Sequence, residues 1–165
     1  MIRISIFLLF LSISTTILSQ NSDKDVIDAM LVSWHKAAAE AYFDAYFGKM
    51  ADDAVFIGTD ATENWQNIAF RDFSKPYFDK GKAWTFTTLE RNIYMDTNGD
   101  TAWFDEHLKT QMGICRGSGV VKKINGIWKV KHYVLSIAIP NENVSEITAI
   151  KKKWDSLQTL KMLKN

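Results

Sequence analysis

The chain has 165 residues, 47% of them hydrophobic and 13% aromatic, with 20 basic against 19 acidic side chains. A formal net charge of +1 speaks against a whole-protein attraction to nucleic acid, so no nucleic-acid partner is expected. One cysteine, Cys115, excludes an internal disulfide, and the apolar content suffices for a core built without cross-links.

Met1-Ile2-Arg3 is a short cationic start, followed by an apolar run from Ile4 to Leu18 and the small residue Ser19. That pattern predicts a signal peptide over residues 1–19 and a mature chain exported to the periplasm or secreted. The run is shorter than the roughly 20 apolar residues of a membrane span. No later run is long enough, so no integral membrane segment is expected in the mature chain. What remains has the size of one domain, read as residues 20–140, plus a C-terminal helix over 141–165.

Val26, Ile27, Met30, Leu31, Trp34, Ala38 and Ala41 recur at three- and four-residue spacing and predict a first helix, with Ser22 and Asp23 as candidate caps. A second, short helix carries Tyr42, Phe43, Tyr46 and Phe47 and stops near Gly48. A strand fits Ala54 to Gly58. After a polar loop, a helix from about Gln66 to Ser74 is expected to end at Pro76, with one more turn to Lys80. The period then switches to two. Trp84–Tyr94, Thr101–Met112, Cys115–Ile124 and Ile127–Ile139 read as four strands, with Asn98-Gly99 and Asn125-Gly126 at turns. Helices followed by an antiparallel meander is an α+β order. Val144, Ile147, Ile150, Trp154, Leu157 and Leu160 make a last apolar stripe, flanked by Lys151 to Lys153, Lys161 and Lys164.

Several segments in this order resemble the SnoaL-like family of the nuclear transport factor 2-like superfamily. They are Trp34-His35-Lys36-Ala37-Ala38, Tyr42 to Phe47, Phe56 to Glu63, Lys75-Pro76-Tyr77-Phe78, Ala102 to Glu106, Arg116 to Val120 and Gly126 to Tyr133. The resemblance implies a cone-shaped fold of the cystatin-like kind, a strongly curved antiparallel sheet packed with N-terminal helices around a cavity. It also implies a homodimer formed through the sheet. It implies no single activity, since the superfamily includes isomerases, cyclases, dehydratases and non-catalytic association domains. Asn64 stands where a basic residue is expected before Trp65.

A two-residue turn at Asn125-Gly126 sets Ile124 opposite Ile127, Val121 opposite Val130 and Gly119 opposite His132. One sheet face then collects Cys115, Gly117, Gly119, Val121, Trp128, Val130, His132, Val134 and Ser136, and this mostly apolar face is assigned to the core. A bulge would exchange the faces beyond it. Arg116 falls on the far face, where pairing across a dimer is natural. On the preceding strand Ala102, Phe104, Glu106 and Leu108 form the more apolar set, placing Glu106 inside; a reversed register would give its place to Asp105 and Trp103. His132 and Glu106 are therefore the candidate catalytic pair, an imidazole that titrates near neutrality and a desolvated acid. Phe43, Tyr46, Trp65, Trp84, Cys115, Trp128 and Ser136 are the candidate ligand-binding residues, with core packing as the competing role. Asp60 and Glu63 sit in the loop where a pocket mouth would be.

Three histidines without a tight spacing make a metal site an unfavoured reading, and no phosphate-binding glycine loop or nucleophile elbow is present, so no cofactor is expected. The function that fits is a pocket for a small hydrophobic molecule, with or without acid–base chemistry of the isomerase, cyclase or dehydratase kind. The alternative is a non-catalytic dimerisation or interaction module.

Overall fold

A computed structural model describes residues 23–164; the leader expected over 1–19 and the cap at Ser22 lie outside the described residues. Residues 23–39 form α1, followed by α2 (Phe43–Phe47). Ile27, Leu31, Trp34 and Ala38 are all at most 1% exposed, so one narrow stripe of α1 is buried, while Val26 stands half in solvent. The carboxylate of Asp23 is spent at the start of α1. It accepts from Lys123 Nζ at 2.9 Å and Trp128 Nε1 at 3.1 Å and ties the helix to the last hairpin.

Six strands form one curved, mixed sheet: β1 (Met50–Ile57), β2 (Asn64–Gln66), β3 (Thr87–Met95), β4 (Thr101–Thr110), β5 (Gly113–Ile124) and β6 (Ile127–Ile137). Their order is β2-β1-β6-β5-β4-β3, and every pairing is antiparallel except β1 with β6. The parallel pair arises because β1 is laid down before the meander and is met by its last strand. It also makes β1 longer than the expected strand, since Met50 pairs with Val130. Helix α3 (Asn67–Asp79) runs straight through Pro76. The proline sits in the last turn, where the lost N–H removes one bond near an end that already frays, so the helix does not stop there.

Asn125 and Gly126 both have positive φ, as a type I′ turn requires, whereas Asp96 to Asp100 make a longer loop in which only Gly99 is left-handed. Residues 82–86 have no ladder partner, although a strand was expected from Trp84 onward. They carry Phe86 against His35 and Trp84 against Tyr46, Phe70 and Phe78.

One feature of the ladder decides the inner face. Val121 pairs with Val130, but Val120 pairs with His132, so Lys131 is an extra residue on β6. Beyond this bulge the faces exchange: Tyr133 and Leu135 point inward at 0% and 5% exposure, while His132, Val134 and Ser136 lie on the outer face. Lys131 leaves the ladder to pair with Asp53 of β1. After β6 a single 3-10 turn leads to α4 (Val144–Met162), none of whose side chains is buried.

Candidate functional site

Glu106, from the middle of β4, is 1% exposed and sits on the inner face of the sheet. A carboxylate in such a place must be surrounded by donors, and this one is. His35 Nε2 from α1 and the Tyr133 hydroxyl from β6 both donate to Oε1 at 2.8 Å. Arg91 from β3 donates to Oε2 through Nε at 3.0 Å and Nη2 at 2.7 Å. An ionised carboxylate only accepts, so the Nε2 of His35 that faces it carries a proton. Arg91 is itself only 3% exposed and reaches outward to Asp28 Oδ1 at 2.6 Å. Gly117 makes room for the arrangement: a Cβ there would stand 2.2 Å from the Tyr133 hydroxyl and 2.9 Å from the Glu106 side chain.

Burial alone would raise the pKa of Glu106, but the bonds from His35 and Tyr133 and the charge of Arg91 outweigh it and hold the carboxyl below its ordinary range. Burial, reinforced by the Glu106 charge, pushes the Tyr133 phenol well above its own. A carboxylate solvated in this way is a weak base. What it does physically is lock an imidazole, a phenol and a guanidinium from three elements in place.

The open space lies next to this network, not within it. A cleft-like cavity of about 130 Å³, open to solvent on one side, is walled by Phe56, Trp65, Phe70, Phe73, Trp84 and Phe86, with Leu135, Gly58, Thr59, Glu63 and Gln111 completing the wall and rim. Its rings are ordered by one another. Phe56 stacks on Phe70 at 4.2 Å, Trp65 on Phe73 at 4.7 Å and Phe70 on Trp84 at 5.9 Å. Phe86 also meets His35 edge to face at 5.7 Å, so the phenyl ring and then the imidazole lie between the cavity and the buried carboxylate. At the mouth, Asp60 accepts from the Thr62 amide and hydroxyl at 2.8 and 2.6 Å and shapes the turn. Glu63 folds back so that Oε2 accepts from the Asp60 amide at 3.2 Å.

The residues expected from sequence are thus dispersed. Glu106 is on the inner face, as the alternation required. His132 is not: the bulge at Lys131 turns it to the outer face, half-buried, and His35 occupies the place beside Glu106 that had been assigned to it. Ser136 is turned outward by the same slip and is exposed, lining a groove beside Trp154 of α4. Trp65 and Trp84 line the cavity. Tyr46 lies deeper, stacked under Trp34 at 5.1 Å, and Phe43 packs between Phe47 and Phe78. Cys115 is buried with Sγ 3.4 Å from Thr110 Oγ1, and Trp128 is held by Asp23; neither borders the cavity. Arg116 is exposed on the outer face. Among the described residues no cluster of three or more histidine, cysteine or acidic side chains could hold a metal ion.

Arg91, Phe56, Phe70, Phe73, Phe86 and Leu135 escaped the sequence reading as site residues. A signal for the bulge was present, because the large apolar residues of β6 run 128, 130, 133, 135 and change phase across the polar pair Lys131-His132.

The model of the SnoaL-like domain family matches residues 27–140. Among solved structures, an NTF2-like protein of unknown function from Pseudomonas putida KT2440 superposes with a TM-score of 0.63 at 14% identity, covering 74% of this chain and 92% of its own. An NTF2-like protein from Cytophaga hutchinsonii ATCC 33406 gives 0.59 at 18% identity, covering 70% and 98%. The association domain of C. elegans CaMKII gives 0.58 at 20% identity, covering 72% and 98%. These likenesses establish the fold. No curated protein sequence matches the chain.

Proposed function

The chain belongs to the SnoaL-like domain family, and from that premise we propose that it is an exported pocket protein that binds a small, largely apolar molecule at the open end of its cone. The observation that carries the reading is the cavity of about 130 Å³ walled by six aromatic rings. It is smaller than the roughly 300–1,000 Å³ of drug-sized sites and close to the roughly 150 Å³ that accepts a single benzene ring. The ligand, or the part of it that enters, is one ring or one branched head group. Glu106 and His35 support the pocket from behind by fixing Phe86 and the inner sheet; acid–base chemistry on the ligand would have to cross that ring. Export rests on the leader-like residues 1–19.

Self-association forms a second part of the proposal. Tyr94 and Trp103 are 43% and 48% exposed and stack at 6.0 Å on the outer face. Val144, Ile150, Leu157 and Leu160 of α4 are exposed as well. The likeness to an association domain supports self-association, and the exposed outer-face pair Tyr94 and Trp103 lies outside the cavity lining. The interaction-module reading draws on the same surface and is compatible with a ligand.

The test is a titration of the mature chain with toluene, read by tryptophan fluorescence. Saturable quenching is expected, and it should disappear when exposed Thr59 at the rim is replaced by Trp. Unchanged binding in Thr59→Trp, or no saturable signal in the parent, would refute the reading.

A further inference from the structure

The cavity has a charge character as well as a size. All of its large walls are aromatic rings, whose faces carry negative potential. Of the side chains that line it, only Glu63 is charged. Glu63 is anchored where that charge matters. Its Oε2 takes the Asp60 amide at 3.2 Å, and a Cβ at Gly58 would lie 2.1 Å from the same oxygen. Glycine at position 58 thus lets the carboxylate lie flat against the rim. Its Oε1 accepts no hydrogen bond among the described residues. No lysine or arginine lines the cavity. Arg71, on the helix that supplies Phe70 and Phe73, turns its guanidinium onto the rings of Phe43 and Phe47 at 5.0 and 4.8 Å.

Electrostatically such a site repels an anion, neither favours nor opposes a neutral hydrocarbon and attracts a cation whose surface is apolar. Ring faces draw positive charge within about 6 Å, most strongly when water is excluded, and a carboxylate adds a full opposing charge. Small inorganic cations and bare ammonium lose too much hydration to enter a wall of rings. An alkylated ammonium has its charge spread over methyl groups and loses less. Resting on the small-molecule reading above, we propose that the cavity recognises the alkylated ammonium head group of a small organic cation, with its alkyl groups among the six rings and its charge facing Glu63.

The experiment compares three probes of equal bulk by calorimetry and tryptophan fluorescence: choline, its neutral analogue with a quaternary carbon in place of nitrogen, and the anion pivalate. Choline is expected to bind about tenfold or more tighter than the carbon analogue, and pivalate not at all. Glu63→Gln, which keeps the acceptor for the Asp60 amide, should erase most of that preference while leaving the carbon analogue unaffected. Gln111→Glu, at an exposed rim position, should strengthen choline about threefold through added negative charge, so the test survives if the first variant folds poorly.

Equal or tighter binding of the carbon analogue would overturn the cation proposal and leave the pocket reading standing. Failure of all three probes would overturn both. Phosphatidylcholine vesicles then separate the sources of the same chemistry. Displacement of choline by vesicles would assign the head group to a lipid, and no displacement would assign it to a free cation.

Discussion

Replacing Glu106 by Gln keeps the shape of the side chain and removes its charge. Arg91, whose side chain is 3% exposed, then loses its buried counter-charge and keeps the Thr88 hydroxyl and, as its one remaining ion pair among the described residues, Asp28, which is 53% exposed. The new amide group also meets donors on every side, since His35, Tyr133 and Arg91 all donate to this position. Breaking one partner out of a buried ion pair costs about 3–5 kcal/mol, a large part of the roughly 5–15 kcal/mol that holds a domain together. With a urea slope of about 2 kcal/mol per molar, the unfolding midpoint should fall by roughly 2 M. Removing both charges with Glu106→Met and Arg91→Met should recover part of the loss, because no uncompensated charge is left inside. Equilibrium urea unfolding at neutral pH measures both. A loss below about 1 kcal/mol for Glu106→Gln, or a double variant weaker than the single one, would refute the view that the carboxylate is a structural hub.

Acid should act through the same group. The Glu106 pKa is depressed in the folded state, so its stabilisation is complete above the ordinary carboxylate range and is lost as pH falls through the folded value. Asp23, held down first by its bond from Lys123, has the same sign. Urea midpoints from neutrality down to about pH 3 should therefore fall, and fall less steeply in Glu106→Gln; parallel slopes would contradict the assignment. His35→Ala should cost roughly 2 kcal/mol or more by stripping a donor from a buried anion. His132→Ala, half-buried with no described side-chain bond, should cost under about 1 kcal/mol. Thermal melts that reverse this order would restore the unbulged register. Gly117→Ala should destabilise by about 1–3 kcal/mol, because its Cβ would displace the Tyr133 hydroxyl; a melt within about 0.5 kcal/mol of the parent would mean the network yields easily.

Local chemistry announced most of the fold. The stripe from Ile27 to Ala38, the Asn125-Gly126 turn and the alternation of β4 each depend on near neighbours, so α1, the last hairpin and the inward side of Glu106 were readable. What failed was long-range. Pro76 passes through a helix end, and β1 extends because β6 lies beside it. His132 and Ser136 left the core face because β6 carries one extra residue, Lys131, whose side chain pairs with Asp53, 78 residues away in the chain. The pairing of His35 with Glu106 and the enclosure formed by Phe56, Phe73 and Phe86 likewise need strands and helices to meet before they exist.

The six tryptophans report on separate regions. Trp65 and Trp84 line the cavity, Trp34 and Trp128 are buried elsewhere, Trp103 stands on the outer sheet face and Trp154 on α4. A nitrogen-labelled sample would show each indole N–H as its own NMR signal, and adding choline or its carbon analogue would name the site directly. Saturable shifts are expected at Trp65 and Trp84, with Trp103 and Trp154 unmoved. Shifts confined to Trp103 or Trp154 would contradict the pocket reading and move the binding surface to the outer face.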